Sequence, residues 1–156
     1  MLGAAMGSAL GLPLEGVPVT ARDPTAAFSF GPHTGATCGI SADAQLMMFT
    51  AEGLIRAAVR HSDRGICHPP SVVHQAYLRW LTTQGITGKK KPIDGADTGW
   101  LFSVKDLHHR RGPGEGTIKA LKRGEVFTAS RPPNTSKGQR RAHADSARRP
   151  DGRASL

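Results

Sequence analysis

Between Ser41 and Arg60 apolar side chains recur at intervals of three and four, and no segment of adequate length alternates with a period of two. These two features narrow the architecture most. Leu46, Phe49, Gly53, Leu54, Ala57 and Ala58 fall on one helical face. Ser41 supplies an N-cap hydroxyl, Asp43 a first-turn carboxylate, and Arg56 and Arg60 positive charge towards the other end, where it complements the helix dipole. The class this predicts is all-α.

A further helix is expected after Pro69-Pro70, with Ser71 as its cap and Val72, Val73, Ala76, Tyr77, Trp80 and Leu81 at helical spacing. Leu2 to Leu12 is apolar nearly all round and carries Gly3, Gly7 and Gly11 at four-residue spacing. It is expected to be a buried helix, ended by Pro13, whose glycines let a neighbouring backbone approach. Residues 18–37 read as a loop rich in Pro, Gly and Thr, and Gly85 to Gly99 as a basic loop around Lys89-Lys90-Lys91. Shorter helical pieces are expected at Trp100 to His108 and Thr117 to Lys122, separated by Gly112-Pro113-Gly114.

With 156 residues the chain supports about one domain. No apolar run approaches the ~18 residues that span a bilayer, so no membrane association is expected. The start Met1-Leu2-Gly3-Ala4-Ala5-Met6 lacks a basic segment, which argues against a secretory signal. Cys38 and Cys67 form no CxxC pair and fit reduced thiols in a cytoplasm. The histidines show no zinc spacing, and Gly112 to Thr117 lacks the spacing of a phosphate loop.

Lys and Arg outnumber Asp and Glu by 21 to 12, a net charge of +9. Residues 139–156 contribute five Arg against two Asp, or +3, leaving +6 for residues 1–138. The last 18 residues hold Leu156 as their sole large apolar side chain, so they are expected to be disordered. The division this suggests is a domain over 1–138 and a basic tail over 139–156. The tail's Arg, Ala, Asp, Gly and Pro bias is also what a GC-rich gene yields in a shifted frame.

Gly7-Ser8-Ala9-Leu10-Gly11-Leu12-Pro13-Leu14-Glu15 and Ser41-Ala42-Asp43-Ala44-Gln45-Leu46 resemble the two N-terminal motifs of the ADP-ribosylglycohydrolase family, of the dinitrogenase-reductase-activating type. Those motifs typically read G-D-A-L-G-x-P-x-E and [S/T]-D-D-T-x-[ML]. Phe49 to Ala57, Ala76-Tyr77-Leu78-Arg79-Trp80-Leu81, Arg111-Gly112-Pro113-Gly114 with Ala120-Leu121, and Pro133-Asn134-Thr135-Ser136-Lys137-Gly138 resemble further segments in order. The resemblance implies the N-terminal part of an all-helical fold, incomplete here because the family's C-terminal half with its D-x-D-[ST] motif is missing. It also implies a hydrolase of the glycosidic bond between ADP-ribose and a modified side chain, using Mg2+ held by carboxylates and hydroxyls.

Carried over residue by residue, Glu15 matches a catalytic position, Ser41 and Asp43 match metal ligands, and Asn134, Ser136 and Gly138 match a loop lining the ADP-ribose pocket. Ser8, Ala42 and Ala44 stand where the family has Asp, Asp and Thr. Those losses and the missing half imply an inactive chain. Cap and dipole partner explain Ser41 and Asp43 without any metal, and with Ala42 and Ala44 beside them that is their expected role. The expected partners are an ADP-ribosylated protein or ADP-ribose, with self-association through uncovered helix faces. Two alternatives stand beside the hydrolase: a basic binding protein for nucleic acid or ADP-ribose polymer, acting through the Arg tail and the Lys89 to Lys91 loop, and a non-functional translated remnant.

Overall fold

The computed structural model describes residues 2–11, 18, 39–93 and 99–127. Four α-helices run through them: α1 (Leu2–Gly11), α2 (Ala42–Arg64), α3 (Pro69–Thr83) and α4 (Glu115–Lys122). Two 3-10 turns, Leu101–Ser103 and Lys105–Leu107, precede α4, and no strand occurs among the described residues. The all-α class holds. The expected tail at 139–156 and the loop beyond Pro18 lie outside the described residues.

The 23-residue α2 starts where its cap chemistry dictates. Ser41 is extended (φ −73°, ψ 169°) and its hydroxyl accepts from the Ala44 N–H. Gly65 ends the helix in the left-handed region (φ 69°), donating its N–H to the His61 carbonyl at 2.8 Å. Arg60 and Arg56 therefore sit about one and two turns before the end; the last turn carries His61 and Arg64. In α3 the cap is His68, with the prolines opening the helix, where a missing N–H costs nothing. Ser71, expected as the cap, lies inside the first turn and bonds back to His68 Nδ1 at 2.6 Å.

The core forms where α2 crosses α3. Phe49, Ala76, Trp80 and Leu81 are at most 1% exposed, with Leu107, Ile118 and Leu121 closing one side. Gly53 permits the close crossing: a Cβ there would stand 2.9 Å from Val73 Cα. Leu54 and Ala58, expected on this face, are exposed. The seam instead runs through Gln45, Phe49, Glu52, Gly53 and Ala57.

Two further expectations are corrected. Ala9 is the one buried residue of α1, while Leu2 is 77% and Met6 56% exposed. Among the described residues nothing lies within 4 Å of a Cβ built on Gly3, Gly7 or Gly11, so none of them packs on the glycine stripe. The stretch from Trp100 to His108 forms two 3-10 turns joined at Val104, rather than one helix, because Val104 is extended (φ −78°, ψ 103°).

Candidate functional site

The N-terminus of α2 gathers three separate parts of the sequence. From α1, Ser8 Oγ meets Ser41 Oγ at 2.5 Å and accepts the Ser41 N–H at 3.2 Å. From the segment before α4, the Arg111 carbonyl accepts the Ala42 N–H at 3.0 Å and the His109 carbonyl accepts from Gln45 Nε2 at 3.3 Å. The open N–H groups of Ala42 and Ala44 in the first helix turn are thus satisfied by the Arg111 carbonyl and the Ser41 hydroxyl.

Of the residues expected in a site, Ser41 and Asp43 are described. Glu15, Asn134, Ser136 and Gly138 lie outside the described residues. Asp43 points its carboxylate to solvent in the first turn of α2, and Ser41 acts as the cap. Ala42 and Ala44 are each 2% exposed, so methyl groups fill the two buried positions beside them.

This donor set does not fit magnesium, which takes about six oxygen ligands in near-octahedral geometry. The Ser41 hydroxyl is already engaged by Ser8 and the Ala44 N–H, and the positions at 42 and 44 offer no oxygen side chain. Among the described residues no group of three or more His, Cys, Asp or Glu side chains could hold a metal ion.

Behind this end of α2 runs a buried polar seam that the residue pattern did not reveal. Gln45 Oε1 accepts from Trp80 Nε1 at 3.1 Å and from Gln84 Nε2 at 3.0 Å. Two turns along, Glu52 pairs with Arg79 at 3.1 Å and accepts the Leu101 N–H at 3.0 Å. Gly99, at φ 73°, lies so close to the Glu52 carboxylate that any Cβ would overlap it. The available signal was the spacing of Gln45, Phe49 and Glu52, four and three residues apart on one face.

An all-α core whose first helix docks by a hydroxyl on the cap of a long second helix brings together the very segments that carry the family motifs. A family model described as ADP-ribosylglycohydrolase matches residues 1–151. The chain belongs to the ADP-ribosylglycohydrolase family. No curated protein and no solved structure matches it.

Proposed function

We propose that this chain is a glycohydrolase-like protein of the dinitrogenase-reductase-activating type that no longer hydrolyses. Its family's reaction is cleavage of the bond between ADP-ribose and a modified side chain. Its ligand on this reading is ADP-ribose or an ADP-ribosylated protein, met in the cytoplasm. The observation that carries the loss of hydrolysis is the α2 N-terminus. A direct Ser8–Ser41 hydroxyl contact and two buried alanine methyl groups occupy ground where a divalent cation would need oxygens.

The test is calorimetry with Mg2+ or Mn2+ on the full chain, alongside an assay of ADP-ribose release from ADP-ribosylated protein. We expect no specific cation site and no release. Ala42→Asp alone is expected to restore neither, since Ala44 and Ser8 remain unchanged. Specific binding of two cations that disappears in Asp43→Ala would overturn the reading, as would cation-dependent release of ADP-ribose.

A further inference from the structure

The basic loop after α3 lies against the end of α4. Lys89 and Lys122, 33 positions apart in the sequence, are joined through the backbone, the Lys89 N–H donating to the Lys122 carbonyl at 2.9 Å. Two glycines permit the approach. A Cβ on Gly88 would stand 3.4 Å from Lys122 Cα, and one on Gly124, at φ 70°, would stand 2.9 Å from Lys90 Cγ. Lys90 and Lys91 follow Lys89 within about 7 Å of chain, so four lysines gather around one backbone bond.

All four are exposed. Among the described residues none of their ammonium groups has an ion pair or a hydrogen bond. Ile86 to Ile93 contains no acidic residue. Lys119 pairs with Glu115 at 3.4 Å, and Arg123 and Glu125 have interactions of their own, so none of these adds to the group. Asp94 and Asp97, next in the sequence, lie outside the described residues. Four like charges held together raise the local potential, which an anionic partner lowers.

The surroundings select among anionic partners. Docking on an acidic membrane surface draws on an apolar helix face as well as on charge, and α4 already buries Ile118 and Leu121 in the core. A stable protein interface is centred on apolar and aromatic side chains, and lysine is depleted there. Phosphates repeated along a strand ask only for mobile point charges, which lysines on flexible stems supply.

We propose that the Lys89–Lys91 loop and the end of α4 form one surface that docks the phosphate backbone of a nucleic acid. The contact is to phosphates, so it carries no sequence preference, and a single strand and a duplex present the same chemistry to it. Nothing about it depends on whether the chain hydrolyses ADP-ribose.

The test is fluorescence anisotropy of the full chain with a labelled twenty-nucleotide oligo(dT) and with a labelled duplex of equal length, between about 50 and 200 mM salt. We expect binding that weakens steeply with salt. Tighter binding of the oligo(dT) assigns the surface to single strands, and tighter binding of the duplex assigns it to paired ones. Lys89→Gln, Lys91→Gln and Lys122→Gln combined should weaken binding about tenfold at low salt and lower the slope of log affinity against log salt by about 2–3. The same three positions changed to Arg keep the charge and should bind as the wild type does. Lys90 stays in place because its stem packs on Gly124. Removing three charges from the tail instead, by Arg140→Gln, Arg141→Gln and Arg148→Gln, should weaken binding less. Circular dichroism checks that each variant retains its helix; a combined variant that loses it is replaced by Lys91→Gln alone, with a slope change of about 1. Absence of binding to both nucleic acids overturns the proposal, as does binding unchanged in the lysine variant. An equal loss in the tail variant also overturns it, because net charge alone would then account for the binding. Binding confined to phosphatidylserine vesicles or to polyglutamate overturns it in favour of a lipid surface or an acidic protein.

Discussion

Glu52 and Arg79 are the most heavily buried charges described, with side chains 0% and 3% exposed. Removing both charges from water is expensive, and the 3.1 Å pair together with the Leu101 N–H offsets that cost. Arg79→Met should therefore destabilise the fold by about 3–5 kcal/mol, because it strands a carboxylate. Replacing both residues by apolar ones of similar size should cost far less than the sum of the single changes. Urea melts of the two single variants and the double variant decide this; additive losses would show that the two charges are stabilised separately. His74 gives a pH signature. Burial pushes its pKa below the ordinary 6.5, Lys90 adds to the effect, and the Gly124 backbone works against it. The unfolded chain then takes up the proton first as pH falls. The contribution of neutral His74 is accordingly complete above about pH 6.5 and is lost as pH drops towards the lowered folded value. His74→Leu should flatten this part of the stability curve below about pH 6.5, measured as the urea midpoint at each pH. Ser41 as cap was legible because a hydroxyl before an apolar-periodic run has a local meaning. Gln45, Glu52 and His74 were not, since a polar residue on a core face depends on partners 35, 27 and more residues away.

Helix positions followed from periodicity and punctuation, whereas helix faces followed less closely. Ser41, Gly65 and the Pro69-Pro70 pair are local signals, and the ends of α2 and the start of α3 fall at them. Which residues of α2 turn inward depends on its neighbour. Gly53 lets α3 come within a Cβ radius, and that contact rotates the buried seam onto Gln45 and Glu52 and leaves Leu54 outside. Gly53→Leu should push α3 away and cost about 1–3 kcal/mol, whereas Gly53→Ala, with less to accommodate, should cost less. Thermal melts of the two variants test this, and equal melting temperatures for Gly53→Leu and wild type would mean the crossing is not tight. For α1 the composition pointed to burial and the structure shows attachment chiefly at its C-terminal half, through Ala9 and the Ser8 hydroxyl. An apolar helix reads as buried only if something else in the chain can cover it, and that depends on the whole fold. The convergence of α1, the α2 cap and the Arg111 segment followed the order of the family-like motifs, so the grouping of the site was more legible than its chemistry.

At the scale of the molecule the opposing surfaces are unequal. The α2–α3 seam is closely packed, while Leu54, Ile55 and Val59 of α2 are each more than half exposed, and Leu2, Met6, Ile66 and Ile93 are exposed as well. Isolated apolar side chains on a surface are ordinary, but Leu54, Ile55 and Val59 lie within two turns of one helix and form a patch. Transferring such a patch from water to a second surface gains roughly 25 cal/mol per Å² of apolar area, enough to drive association when several large side chains are covered together. We expect the chain to be helical by circular dichroism, to bind an apolar dye before it is heated, and to sediment as a concentration-dependent mixture. Its thermal transition should be broad, since self-association and unfolding then overlap and two-state behaviour fails. Leu54→Lys combined with Ile55→Lys should shift sedimentation towards monomer and reduce dye binding without loss of helix, because neither side chain belongs to the α2–α3 core. A wild-type chain that sediments as a single monomeric species over a hundredfold concentration range, with a sharp two-state melt, would show that this surface is tolerated in water as it stands.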